Sequence, residues 1–105
     1  MTVEVKVRPE VSDDIRALPS DDLRREALRE ILEVKNHPFR SQPLGKLPAT
    51  GDLSDCRKKY FDQARYRVIY RLLPDEKNPT EADVIAVGPR VGLTVYNEAI
   101  KRLGR

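Results

Sequence analysis

The chain has 105 residues, 39% apolar and 35% charged, with 20 basic residues against 17 acidic ones and a net charge of +3. That length fits one domain spanning residues 1–105, and the composition is that of a globular chain with a heavily charged surface. A single cysteine excludes an internal disulfide and a thiolate metal cluster, and no apolar run approaches the ~18 residues that a membrane span needs.

Charge is unevenly placed. Met1 to Asp55 carries nine basic and eleven acidic residues, whereas Cys56 to Arg71 carries six basic residues and only Asp62 on the acidic side. Ala86 to Arg105 has four basic residues against Glu98. An anionic partner is expected on the C-terminal half. Met1 to Lys6 has no signal-peptide apolar region, and a lone cysteine suits a reducing compartment, so a cytoplasmic location is expected.

In chain order, Val3, Val5 and Val7 alternate with Glu4, Lys6 and Arg8, which predicts a first strand with one buried face, ended by Pro9. Ser12-Asp13-Asp14 supplies a start signal for a short helix through Leu18. Ser20 or Asp21 caps a longer helix to about Lys35, with Leu28, Ile31 and Leu32 as its apolar stripe beside Leu23 and Ala27. Asn36-His37-Pro38 stops it. Phe39 to Gly51 reads as a loop anchored by Leu44 and Leu47. Strands are expected over Cys56–Phe61, Tyr66–Leu73 and Ala82–Val87. Residues 62–65 join the first two as a hairpin, and Pro74 to Thr80 forms a mobile excursion between the next two. A last helix starts near Thr94, with Val95, Ala99, Ile100 and Leu103 as its apolar stripe. The order β-α-α-β-β-β-α describes an α+β domain: two N-terminal helices on a small, mostly antiparallel sheet, then a C-terminal helix.

Arg, Lys and Tyr side chains are threaded through the apolar positions of the C-terminal strands, a pattern expected of a polyanion site. His37, at a helix end, reads as a cap residue before it reads as a base. Cys56 reads as a small buried residue before a reactive thiol. Asp13, Asp14, Asp21 and Asp22 read as helix starts, not metal ligands, and Tyr66 and Tyr70 as core residues.

Asp55-Cys56 before a basic strand, Tyr66-Arg67-Val68-Ile69-Tyr70, Val87-Gly88 with Arg90, and Val95-Tyr96-Asn97-Glu98-Ala99 with Arg102-Leu103 follow one another from Gly45 to Leu103. In order and spacing they resemble the RelE/ParE superfamily of type II toxin–antitoxin toxins. The resemblance implies a RelE-like fold and one of two activities: ribosome-dependent cleavage of mRNA in the A site, or inhibition of DNA gyrase. It also implies a cognate antitoxin, and it leaves room for a non-toxic member that only binds antitoxin. The endonuclease branch carries a set of residues that falls here on Lys58, Arg67, Arg90 and Tyr96. Tyr60 stands where that branch often has a second lysine, and Lys59 beside it should point to the opposite face of the sheet.

Metal-independent cleavage needs a base for the 2′-OH, cations for the phosphate and an acid for the leaving 5′-oxygen. Arg67 and Arg90 suit the phosphate, since a guanidinium fork matches its oxygens. Tyr96, Tyr60 and Lys58 all remain open as the base, a phenol becoming more available as phenolate beside cations. Arg57, Lys59, Arg65, Arg71, Lys101 and Arg102 are expected to contact mRNA and ribosomal RNA. No cofactor or metal is expected.

Overall fold

The computed structural model describes residues 1–47 and 51–105. Five strands form one sheet in the order β1-β7-β6-β5-β2: β1 (Glu4–Val7), β2 (Gln42–Pro43), β5 (Cys56–Phe61), β6 (Tyr66–Leu73) and β7 (Glu81–Pro89). β1 runs parallel to β7 and every other neighbour is antiparallel. The two-residue strands β3 (Lys46–Leu47) and β4 (Gly51–Asp52) pair separately. Helices α1 (Pro9–Arg16) and α2 (Asp21–Asn36) follow β1, and a 3-10 turn over Val91–Leu93 leads into α3 (Thr94–Arg102). The α+β class and helix–strand order expected from the sequence are therefore present, with β2 and β3 added inside the segment read as loop and β4 at its end.

The pleat sends alternate side chains to opposite faces. Phe61, Val68, Tyr70 and Val84 pack on one face against Val11 of α1 and Ala27, Ile31 and Val34 of α2. Cys56, Ile69, Ile85 and Ala86 pack on the other against Val95, Ala99 and Ile100 of α3. The β6–β7 register slips at Ile69/Tyr70, where Ile69 faces Ala86 and Tyr70 faces Val84, so Ile85 is a bulge residue. The bulge puts Ile85 and Ala86 on the same face and re-aims the end of β7, leaving Gly88 across from Arg67. A Cβ on Gly88 would lie 3.6 Å from Val95, so the glycine sits where α3 crosses the sheet.

Several local expectations are corrected. Pro9 starts α1 rather than merely ending β1: it occupies the first helical turn after Arg8 as N-cap, where its missing N–H costs nothing. Ser12, Asp13 and Asp14 consequently lie inside the helix. Val3 is buried, but Val7 at the strand end is 45% exposed. In α2, Ser20 is the cap, its hydroxyl accepting from Leu23 N at 3.2 Å, and His37 is the C-cap residue. The buried stripe of that helix is Ala27, Ile31 and Val34, with Leu23 half-buried, while Leu28 and Leu32 face solvent at 49% and 68% exposure. Leu44 is buried as expected; the anchor expected at Leu47 falls outside the described side chains. Within the Pro74–Thr80 excursion, Asp75 accepts from Lys77 N and Asn78 N, and Glu76 pairs with Arg57 at 2.9 Å.

Candidate active site

The β5–β6 hairpin sets Tyr60 directly opposite Arg67. Lys58, two residues earlier, shares the face of the sheet that α3 covers. The Arg67 guanidinium lies over the Tyr60 ring at 4.1 Å from its centroid, and the Lys58 ammonium is 5.5 Å from the same centroid. α3 contributes Tyr96, whose hydroxyl accepts from Arg67 Nε at 2.6 Å. Arg67 Nη1 donates to the Ala64 carbonyl at 2.6 Å. Arg67 and Tyr96 are 6% and 4% exposed.

Arg67 is thus fixed in its own plane by two hydrogen bonds and across that plane by an aromatic ring. Its remaining nitrogen, Nη2, has no hydrogen-bond partner among the described residues and yet is not sealed from solvent. A buried cation with one open N–H edge is a donor held for an external acceptor.

The turn that delivers the Ala64 carbonyl is strained. Asp62, Gln63 and Ala64 have φ of 52°, 55° and 66°, all left-handed and none of them glycine. Such a residue costs about 1–2 kcal/mol. The Arg65 N–H closes the turn on Asp62 O at 3.1 Å.

Arg90 sits apart from these four. It is exposed, and its backbone N–H donates to Arg65 O at 3.0 Å. With Ala64, Arg65, Tyr66, Pro89 and Val91 it lines an open depression of about 380 Å³ at the end of the sheet. Its side chain has no ion pair, hydrogen bond or ring contact among the described residues. The structure therefore brings Lys58, Tyr60, Arg67 and Tyr96 together and leaves Arg90 next to the hairpin.

Most cations expected to contact RNA are committed elsewhere. Arg57, 8% exposed, pairs with Glu76 and donates to Ser41 Oγ at 2.7 Å. Lys59, 5% exposed, lies on the α2 face between Glu30 and Glu33 at 3.1 and 3.0 Å. Arg71 pairs with Asp83 at 3.0 Å. Arg102 binds both oxygens of Asp14 and reaches Glu98 at 3.6 Å. These four are corrected from surface cations to internal ones, because each has a carboxylate partner brought close by the fold. Asp14 is corrected with them: it is no helix start but a clamp, also accepting from Val87 N at 3.0 Å. Arg65 and Lys101 do remain exposed. Among the described residues the Arg65 side chain has a 3.9 Å contact with Asp62 and a bond to Gln63.

Cys56 is 1% exposed, and burial, reinforced by neighbouring Asp55, pushes its thiol up to about 12, which removes it as a nucleophile. Among the described residues no group of three or more His, Cys, Asp or Glu side chains is placed to hold a metal ion, and no helix is long and apolar enough to cross a membrane.

Neither a family model nor a curated protein sequence matches the chain. Solved structures do. A double arginine-to-alanine mutant of the E. coli toxin RelE in the free state matches with a TM-score of 0.72 at 24% identity, covering 98% of this chain and 99% of that one. The same mutant bound to an antitoxin RelBc peptide matches with a TM-score of 0.64 at 26% identity, covering 97% and 98%. The fold is that of the RelE toxins. The RelBE2 toxin–antitoxin complex from Mycobacterium tuberculosis matches at 18% identity and a TM-score of 0.66, covering 86% and 100%.

On this RelE-like fold Lys58, Tyr60, Arg67 and Tyr96 meet on the face of the sheet that α3 covers, and Arg90 lies apart from them. Sequence reasoning missed two contributors. Gln42 of β2 accepts from the Tyr60 hydroxyl at 2.9 Å, and the Ala64 carbonyl orients Arg67. Gln42 lies in a segment with no strand periodicity, so only its pairing opposite Lys58 reveals it. A backbone carbonyl leaves no residue-type signal at all.

Proposed function

We propose that this protein is the toxin of a type II toxin–antitoxin pair and that it cuts mRNA in the ribosomal A site by metal-independent attack of the 2′-OH. The observation that carries this reading is Arg67: buried, oriented by Tyr96 and Ala64, and with Nη2 unpartnered among the described residues. In Arg102, by contrast, both terminal nitrogens are taken up, Nη1 by Asp14 and the Ile85 carbonyl and Nη2 by Asp14 and Glu98.

In the proposed step, the Tyr96 oxygen, as phenolate, accepts the 2′-OH proton while the Arg67 Nε–H stays bonded to it. The 2′-oxygen bonds to phosphorus while the bond to the 5′-oxygen breaks. Arg67 Nη2 and the Lys58 ammonium neutralise charge growing on the phosphoryl oxygens. Lys58 returns a proton to the 5′-oxygen, leaving a 2′,3′-cyclic phosphate and a 5′-hydroxyl. Arg90 and Arg65 hold the strand beyond the scissile bond. The partner is an antitoxin; structural relatives have been solved in complex with theirs.

The test compares cells expressing the wild-type protein and Arg90→Ala, mapping mRNA 5′ ends by primer extension beside a DNA-damage reporter. New A-site ends that fade in the mutant support the nuclease. A damage response without new ends would establish gyrase inhibition instead.

A further inference from the structure

We infer that Tyr60 is a positioning residue whose ring, tethered by Gln42, holds the Arg67 guanidinium, and that its hydroxyl takes no part in proton transfer. The inference deepens the nuclease reading above and rests on it for its kinetic consequence.

Three observations carry it. The Tyr60 hydroxyl donates to Gln42 Oε1 at 2.9 Å, so its proton is directed to the sheet edge, away from the Arg67–Tyr96 pair. The ring has the Arg67 Cζ 4.1 Å from its centroid, well inside the ~6 Å reach of a cation–π contact. The two hydrogen bonds of Arg67 limit its motion within the guanidinium plane, and the ring supplies the restraint across that plane. Without the ring, the open Nη2 could swing out of line with a bound phosphate. A lysine at position 60 would repel Arg67, so aromatic character here replaces a cation with a support for one.

The experiment uses Tyr60→Phe, Tyr60→Leu and Gln42→Ala of the full chain, with two readouts. The first is the Arg67 Nε–Hε resonance in 15N-labelled protein, which a ring over the guanidinium shifts upfield. The second is the single-turnover cleavage rate on ribosome-bound mRNA across pH. Tyr60→Phe should keep the upfield resonance and the wild-type pH profile, with a rate at most about threefold lower. Tyr60→Leu should lose the shift and slow cleavage by roughly 10- to 100-fold, the scale expected of a misplaced catalytic group. Gln42→Ala should broaden the resonance, with a smaller rate loss.

A Tyr60→Phe protein as slow as Tyr60→Leu, with an altered pH profile, would make the hydroxyl a proton-transfer group and overturn the inference. So would an Arg67 resonance unmoved in Tyr60→Leu. If the wild-type protein does not cleave, the resonance still decides whether Tyr60 holds Arg67, and the failure then belongs to the nuclease reading alone.

Discussion

Lys59→Met separates a structural lysine from an RNA-binding one. The lysine stem is buried, with only 4% of the side chain exposed, and its ammonium bridges Glu30 and Glu33. Methionine fills nearly the same volume, so little packing is lost. What goes is two charge-assisted contacts. Their carboxylates stay partly hydrated, at 24% and 40% exposure, so each contact is worth less than a buried pair but more than a surface one. A destabilisation of about 1–3 kcal/mol follows. The Lys59 hydrogen bond, and then its charge, hold the Glu33 carboxyl below its ordinary value of 4.5. A lowered carboxylate contributes stability above its unfolded value and loses it as pH falls. Urea denaturation should therefore show the full gap between mutant and wild type at pH 7, shrinking as pH falls through the carboxylate range. Cleavage measured below the transition should match wild type, because Lys59 faces α2. A mutant of wild-type stability that cuts tenfold more slowly would refute this placement.

Asp83→Asn should destabilise the fold by about 2 kcal/mol, and lower the thermal midpoint by roughly 10 °C, because it takes the shared carboxylate from Arg8 and Arg71 at quarter exposure and leaves them the Arg102 carbonyl and Asp55; a loss under about 0.5 kcal/mol in urea titration would contradict the pairing. The Cys56 thiol should resist iodoacetamide in the native protein at pH 8 and react once urea unfolds the chain, read by mass spectrometry; rapid native alkylation would mean that the thiol is not buried.

Much of the fold was legible because period-two and period-3.6 patterns survive in the sequence. Cys56–Phe61 and Tyr66–Leu73 are observed with the expected bounds, and that alternation, with the four-residue hairpin, places Lys58, Tyr60 and Arg67 on one face. α2 shows where pattern reading stops. It offers two leucine-containing stripes, and only the sheet beneath it decides that Ala27 and Val34 go inside while Leu28 and Leu32 stay out. The basic surface was overestimated for a related reason. Arg8 finds Asp83 across 75 positions and Arg102 finds Asp14 across 88, and no local pattern announces such partners. The 2.6 Å bond between Arg67 and Tyr96 joins residues 29 apart and depends on how α3 crosses the sheet, so their shared face could be anticipated from resemblance but not their contact.

The most direct test uses purified protein, ribosomes programmed with a defined mRNA, and EDTA-washed components, comparing wild type with Arg67→Gln and analysing both new RNA ends. The account predicts A-site cleavage by wild type that yields a 2′,3′-cyclic phosphate and a 5′-hydroxyl, slowed about 100-fold or more in Arg67→Gln. Equal cleavage by the two proteins, or 5′-phosphate ends, would contradict it.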